Sequence, residues 1–175
     1  MYRRLMNQPH LMYQPQWYYP MRHNWYNRGW HHHYRKQHIV IKDYGPEPFA
    51  VNIDEAAKQN NTFRTALWTG SHLQVTLMSI NVGEAIGLEM HSQVDQFLRI
   101  EEGQGWIQMG KSKDKVDFQA NVYDDYAMVI PAGTWHNLSN TGNKPLKLYS
   151  IYAPPQHPYG TVHKTKAEAM AAEEH

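Results

Sequence analysis

The stretch "GLEMHSQVDQFLRIEEGQG", residues 87–105, decides how this chain is read. Glu89 and His91 stand two residues apart, and on an extended strand that spacing puts both side chains on the same face. They are either neighbours on a sheet wall or half of a metal site. From Asp95 the text alternates: Gln96, Leu98 and Ile100 share one parity, and Asp95 and Arg99 the other. An alternation of this kind predicts a half-buried strand that ends at the Gly103 turn.

Outward from this stretch the same texture continues. RTALW, LQVTLMSI, IGLEMH, DQFLRIEEG, GWIQMG, VDFQANV, YAMVIP, WHNLSN and PLKLYSIYAP are short runs rich in β-branched and aromatic residues, separated by Gly, Pro, Asn or Asp. His38–Lys42 (HIVIK) reads as a further strand, and the charged KSKDK as a hairpin tip. Asn52 or Asp54 is placed to cap a brief helical turn through DEAAKQ. Strands recurring about every ten residues predict an all-β antiparallel barrel or sandwich. Thr165 followed by Glu168 has the form of a capping box opening a short C-terminal helix.

Composition sets the limits. At 175 residues the chain has the length of one ordinary domain. It contains no cysteine, which excludes disulfides, thiolate zinc sites and a cysteine nucleophile. No apolar run approaches the roughly 18 residues of a membrane span. The first residues lack the continuous apolar core of a secretory signal, so a cytoplasmic protein is expected. Residues 1–42 hold seven Lys or Arg, no acid, six of the twelve histidines, six of the twelve tyrosines and three of the six tryptophans. Pro9, Pro15 and Pro20 interrupt any periodicity there. The expected organisation is a disordered His/Tyr/Met-rich basic arm over 1–36, a barrel over 37–160, and a tail with a short helix over 161–175. Basic charge among aromatics is compatible with nucleic-acid contact, but the charge is too sparse to expect that partner. In composition the arm resembles coat proteins of bacterial spores, which gives spore-coat or cell-surface association as the alternative location.

Two motifs together resemble the cupins, a family of small β-barrels. The family's first motif has Gly, His, His, Glu and Gly at set spacings. Gly83, Glu89, His91, Gln96 and Gly103 occupy those positions here. The second motif is matched by Pro131, Gly133, His136 and Asn140, with Asp125 in place of the leading glycine. The resemblance covers about residues 37–160. It implies a cupin-type antiparallel β-barrel (jelly roll), a homodimer, and one divalent transition metal ion (Zn, Mn, Fe, Ni or Co) held by Glu89, His91, Gln96 and His136.

The departures from the motif compensate each other. Glu replaces the first histidine and Gln replaces the usual glutamate, so the set still carries one carboxylate, two imidazoles and one neutral oxygen. Asp95 competes with Gln96 on spacing. Gln96 is favoured because it lies at the family's distance from Gly103 and shares the parity of Leu98 and Ile100. The ligand inventory is similar to that of the zinc-dependent phosphomannose isomerases, although theirs begins with Gln. A metal-dependent enzyme on a small oxygenated substrate such as a sugar phosphate is therefore the first functional expectation. Two histidines and one carboxylate also suit a non-haem Fe(II) dioxygenase, and a non-catalytic binding barrel anchored by its arm is the third reading. Tyr149 and Tyr152 are read as packing residues able to donate a proton at the pocket mouth. Lys147 and Arg99 are read as exposed strand charges, and Trp135 as core or rim packing.

Overall fold

The computed structural model describes residues 38–173, and the arm expected over 1–36 lies outside them. The elements in chain order are α1 (Ile53–Gln59), β1 (Arg64–Thr69), β2 (Gln74–Ile80), β3 (Asp95–Glu102), β4 (Gln104–Gly110), β5 (Phe118–Tyr123), β6 (Ala127–Ile130), β7 (Trp135–Asn140), β8 (Leu146–Ala153), β9 (Val162–His163) and α2 (Lys166–Glu173). They form a six-stranded sheet in the order β6-β3-β8-β2-β1-β9 and a three-stranded sheet in the order β5-β4-β7. Every strand pairing is antiparallel. The fold is all-β, a jelly-roll barrel, with a short C-terminal helix. Among the described residues no helix is long and apolar enough to cross a membrane.

The alternation seen in the sequence separates the two faces of the large sheet. On β3, Gln96, Leu98 and Ile100 are buried, and the opposite parity is more exposed. Register extends this inner face across the sheet. Gln96 is opposite Tyr152, which is opposite Gln74; one step deeper, Leu98, Ser150 and Thr76 align; deeper again come Ile100, Leu148, Met78 and Arg64. The deep rows join Ile107 and Leu138 of the small sheet in the main core. The mouth row is polar. This gradient places hydrogen-bonding groups at one end of a barrel that is sealed by apolar packing at the other.

β2 is buried on both faces, which is why it reads as a nearly continuous apolar run. Its outward Leu77, with Leu67 of β1, packs under Ala56 and Ala57 of α1, joined by Ile39, Ile41, Val51 and Tyr149. Asn52 caps α1, its Oδ1 accepting from the Glu55 amide at 3.2 Å. At α2, Thr165 Oγ1 accepts from the Glu168 amide at 3.2 Å, and the Glu168 carboxylate accepts from the Lys164 amide at 2.6 Å. The reciprocal bond of the capping box thus reaches one residue further back than Thr165.

Two expected strands are not strands. His38–Lys42 has no ladder: the Ile39 amide donates to the Gln59 side chain at 3.1 Å, while Ile39 and Ile41 pack on the outer cluster. IGLEMH makes only one isolated bridge to β7, Glu89 with His136, and Ala85 just before it makes another with Ser139. Gly87, at φ 102°, lies outside the β region and breaks the ladder between them. The inference that Glu89 and His91 share a face survives, because both ends of the segment are tied to the strand or the turn before it.

Candidate metal centre

The site is built where residues 84–91 run along β7. The Asn140 amide donates to Glu84 O at 2.8 Å, the Ile86 amide to Leu138 O at 3.0 Å, and the Gly133 amide to His91 O at 2.7 Å. Between these ties Glu89 and His136 exchange both backbone bonds, at 3.0 and 2.9 Å. Directly opposed residues of this kind present adjacent side chains. The turn PAGT, with Gly133 at φ 78°, delivers the chain into β7 so that His136 enters the barrel, where it is fully buried.

The three ligand atoms of Glu89, His91 and His136 lie within 4.8 Å of one another. Glu89 Oε1 stands 3.5 Å from His91 Nε2 and 3.4 Å from His136 Nε2. Good charged hydrogen bonds are shorter, about 2.7–2.9 Å. Two donors each about 2.1 Å from one tetrahedral ion stand about 3.4 Å apart, so the spacing fits an ion better than direct contact. Both Nε2 atoms are buried and lack a hydrogen-bond partner. His136 Nδ1 lies 3.0 Å from Thr134 O. Donating there fixes the tautomer that leaves the Nε2 lone pair free, as a metal-binding imidazole requires.

Gln96 supplies another buried group of the same kind. Its Nε2 donates to Ser150 Oγ at 3.0 Å, which leaves Oε1 buried and without a partner. Across β8 its register partner is Tyr152, whose ring is 5.8 Å from that of His91. Asp95 is exposed and accepts from the Ala132 amide at 2.8 Å, holding the turn that precedes His136. Burial pushes the Glu89 carboxyl up, but in the metal-free site protonated His136 and His91 imidazoles and the Arg64 charge outweigh it, holding Glu89 well below the usual carboxylate range. Glu89 is therefore ionised and available as an anionic donor throughout the physiological range.

The remaining candidates fall elsewhere. Tyr152 faces the interior and is fully buried, whereas Tyr149 faces outward and meets the Phe97 ring, tilted by 35°, at 6.1 Å between centroids. Lys147 is not exposed as expected: it is buried, with its Nζ donating to Asn60 O and, at 3.0 Å, to Asn61 Oδ1. β8 runs beneath the α1–β1 connection, and the lysine is spent satisfying that turn. Arg99 pairs with Glu101 and with Asp125, the latter at 2.6 Å. Sequence reasoning missed His157, whose ring lies 5.1 Å from Tyr152 and whose Nε2 is buried without a partner. Its placement depends on Gln74, 83 residues away, so no local signal marks it.

A two-sheet antiparallel barrel carrying this cluster at one mouth defines the class: the chain belongs to the cupin family. The Cupin domain profile matches residues 76–152. The chain is similar to the uncharacterized protein YrkC of Bacillus subtilis (strain 168), at 70% identity over 81% of this chain and 76% of that protein. An uncharacterized protein of Acanthamoeba polyphaga mimivirus is 39% identical over 65% of this chain and 70% of its own length. Among solved structures, BH2720 from Bacillus halodurans superposes with a TM-score of 0.74 at 69% identity, covering 75% of this chain and 99% of that one.

Proposed function

We propose that the protein is a metal-dependent enzyme acting on a small oxygenated molecule, with Glu89, His91, Gln96 and His136 as the ligands of one divalent transition metal ion. The observation that carries this reading is a set of unpartnered buried donors: two Nε2 atoms 3.4–3.5 Å from one carboxylate oxygen, with the Gln96 Oε1, in register with Tyr152, also buried and without a partner. Leaving such groups unsatisfied costs about 1–3 kcal/mol each, and an ion satisfies all of them. A divalent ion held there would supply Lewis-acid polarisation of a carbonyl or hydroxyl oxygen. The chain's own part is positional. Thr134 O orients His136, Ser150 orients the Gln96 amide, and the Tyr152 ring walls the mouth.

Isomerisation of a sugar phosphate is the reading favoured by the inventory of one carboxylate, one amide and two imidazoles. Fe(II)-dependent O2 chemistry is the second reading, favoured if Glu89, His91 and His136 alone form the ligand set, as their mutual distances permit. A soluble cytoplasmic enzyme with a small-molecule substrate is the setting proposed for either.

The test is elemental analysis of the protein purified without a histidine-affinity step, followed by phosphosugar and O2-consumption assays. One equivalent of metal in the wild type and none in His136→Ala supports the centre. Equal metal in both would overturn it. Bound metal without turnover in either assay would leave a metal-binding barrel and remove both enzyme readings.

A further inference from the structure

Three of the buried polar atoms that lack a hydrogen-bond partner belong to proposed metal ligands: His91 Nε2, His136 Nε2 and Gln96 Oε1. The same holds for Thr76 Oγ1 and His157 Nε2, which no ligand role absorbs. Both lie on the wall that adjoins the centre. Thr76 is fully buried on the inner face of β2, directly opposite Ser150 of β8, whose hydroxyl accepts from the Gln96 amide at 3.0 Å. One residue, Ser150, therefore separates Thr76 from a proposed ligand. His157 reaches the same wall from the loop after β8. Its ring meets Tyr152 edge-on at 5.1 Å, and Tyr152 meets His91 edge-on at 5.8 Å.

The fold holds both groups in place. Gln74, two residues before Thr76 on the same face and fully buried, accepts from the His157 amide at 2.9 Å and donates to the His157 carbonyl at 2.8 Å. Its Nε2 also donates to Thr69 Oγ1 at 2.9 Å, and Thr69 donates to Asp43 Oδ2 at 2.6 Å. The same Asp43 oxygen takes the Gly160 amide at 2.9 Å, so the His157 loop is anchored twice. Burying a hydroxyl or an imidazole nitrogen without a partner lowers stability. Groups fixed in that condition are what a binding surface presents before its ligand arrives.

The wall is uncharged. It offers the Thr76 and Ser150 hydroxyls, the Gln74 and Gln96 amides, and His157, which burial first and the Arg64 charge second push down to about 3. A hydroxyl and a neutral imidazole can each donate or accept, according to rotor and tautomer. Their complement is a group with the same duality, the hydroxyl of a ligand, whereas an ionised carboxylate only accepts.

We propose that Thr76 Oγ1 and His157 Nε2 bind hydroxyl groups of a polyhydroxylated ligand, a polyol or sugar, whose reacting oxygen lies toward Glu89, His91 and His136. The assignment deepens the metal-enzyme reading by naming the ligand class, and it rests on that reading for the position of the reacting end. It also makes a demand on stability. A residue whose hydroxyl holds the fold loses stability when the hydroxyl is removed; one whose hydroxyl is kept for a ligand does not. Thr76→Val exchanges the hydroxyl for a methyl of similar size, so it should leave the ligand-free protein as stable as before or more so, while weakening the ligand.

The test uses full-length protein loaded with Zn(II), with occupancy from elemental analysis and His136→Ala giving the background from other histidines. Mannose and glycerol are the probes and inorganic phosphate the anionic contrast, each titrated and read in ligand-detected NMR spectra. Saturable binding of mannose or glycerol to the wild type is expected. Thr76→Val and His157→Phe should each weaken it about three- to tenfold, and Thr76→Ser should stay within about twofold, all at unchanged Zn(II) stoichiometry. The melting temperature of ligand-free Thr76→Val should equal or exceed that of the wild type. Three results would overturn the assignment: phosphate but neither polyol binding the wild type, affinities within about twofold in both Thr76→Val and His157→Phe, or a lower melting temperature in both. If Thr76→Val fails to fold, His157→Phe, which lies outside the strands, decides on the same readouts. Failure of Zn(II) to bind would overturn the metal centre instead. The wall would then be judged on the metal-free protein by the same titrations: loss of polyol binding in His157→Phe supports it, and no binding in the wild type overturns it.

Discussion

At the scale of the residue, the proposed ligand set makes the two departures from the family motif a pair: Glu89 would supply the charge that a cupin ordinarily takes from its glutamate, and Gln96 a neutral oxygen where that glutamate would stand. Glu89→His alone removes the only carboxylate of the proposed ligand set and should weaken metal binding severely. Glu89→His with Gln96→Glu restores one carboxylate and should bind again, a non-additive cycle of the kind expected for groups sharing one ion. Chelator-competition affinities of the four proteins check this, and simple additivity would mean that Glu89 and Gln96 do not share a metal. Asp125 is explained on different grounds. It adopts φ 70°, the left-handed conformation that the motif's glycine would take, and Asp tolerates that region better than most residues. Its amide donates to Ile100 O at 2.9 Å, while its exposed carboxylate pairs with Arg99. Asp125→Gly should therefore change stability by less than about 1 kcal/mol, the strain relieved offsetting a surface ion pair. Asp125→Val should cost about 1–2 kcal/mol by urea denaturation, because a β-branched side chain is poorly accommodated there.

At the scale of the element, two buried polar residues reinforce junctions between segments far apart in the sequence. Asn140, the last position of the second motif, is not a ligand. Its Nδ2 donates to Ile80 O and Lys144 O, each at 2.9 Å, and its Oδ1 accepts from the Gly142 amide at 2.9 Å. One side chain ties the end of β2 to the β7–β8 turn. Asn140→Ala should cost about 2–4 kcal/mol by stripping three backbone groups, one buried and two part-buried, of their partner, and equilibrium denaturation would measure it. Asp43 joins the segment before α1 to β1 and to the turn before β9, accepting from Thr69 Oγ1 at 2.6 Å, Gly160 N at 2.9 Å and Gly45 N at 3.0 Å. Burial pushes its carboxyl up, but these hydrogen bonds win and set it below the ordinary value of 3.8. A folded-state value below the unfolded one means stabilisation fully present above the unfolded value and lost as pH falls through the folded one. The stability gap between wild type and Asp43→Asn should therefore be widest above about pH 4 and shrink as acid is added below it. A gap that is flat down to pH 2 would show that the carboxylate charge is irrelevant to the junction.

At the scale of the whole molecule, the proposed ligands come from three separate places: the 84–91 segment, β3 and β7. None of these donors is assembled in an unfolded chain, so binding free energy adds to folding free energy. Metal at about 100-fold over its dissociation constant should add about 2.7 kcal/mol and raise the melting temperature by about 10 °C. A chelator should remove the gain, and His136→Ala should never show it. Differential scanning calorimetry at fixed protein concentration checks all three statements.

The sequence by itself determined the fold class and the face each strand turns inward, because period-two alternation on β3 and β7 is a local property of the text. It also determined that Glu89 and His91 share a side, that Gln96 rather than Asp95 points inward, and that Thr165 caps the second helix, while for the first it left Asn52 and Asp54 open. These follow from spacing within a few residues. It misread HIVIK and IGLEMH as strands, because whether an extended segment gains a ladder depends on which neighbour offers free backbone groups. Only the tertiary structure could bring Glu89 opposite His136, put Lys147 under the α1–β1 turn, and clamp His157 through Gln74 against Tyr152. Those placements arise from pairings across tens of residues, where the deciding quantity is the satisfaction of buried polar groups, and a linear reading carries no record of which distant partner will satisfy them.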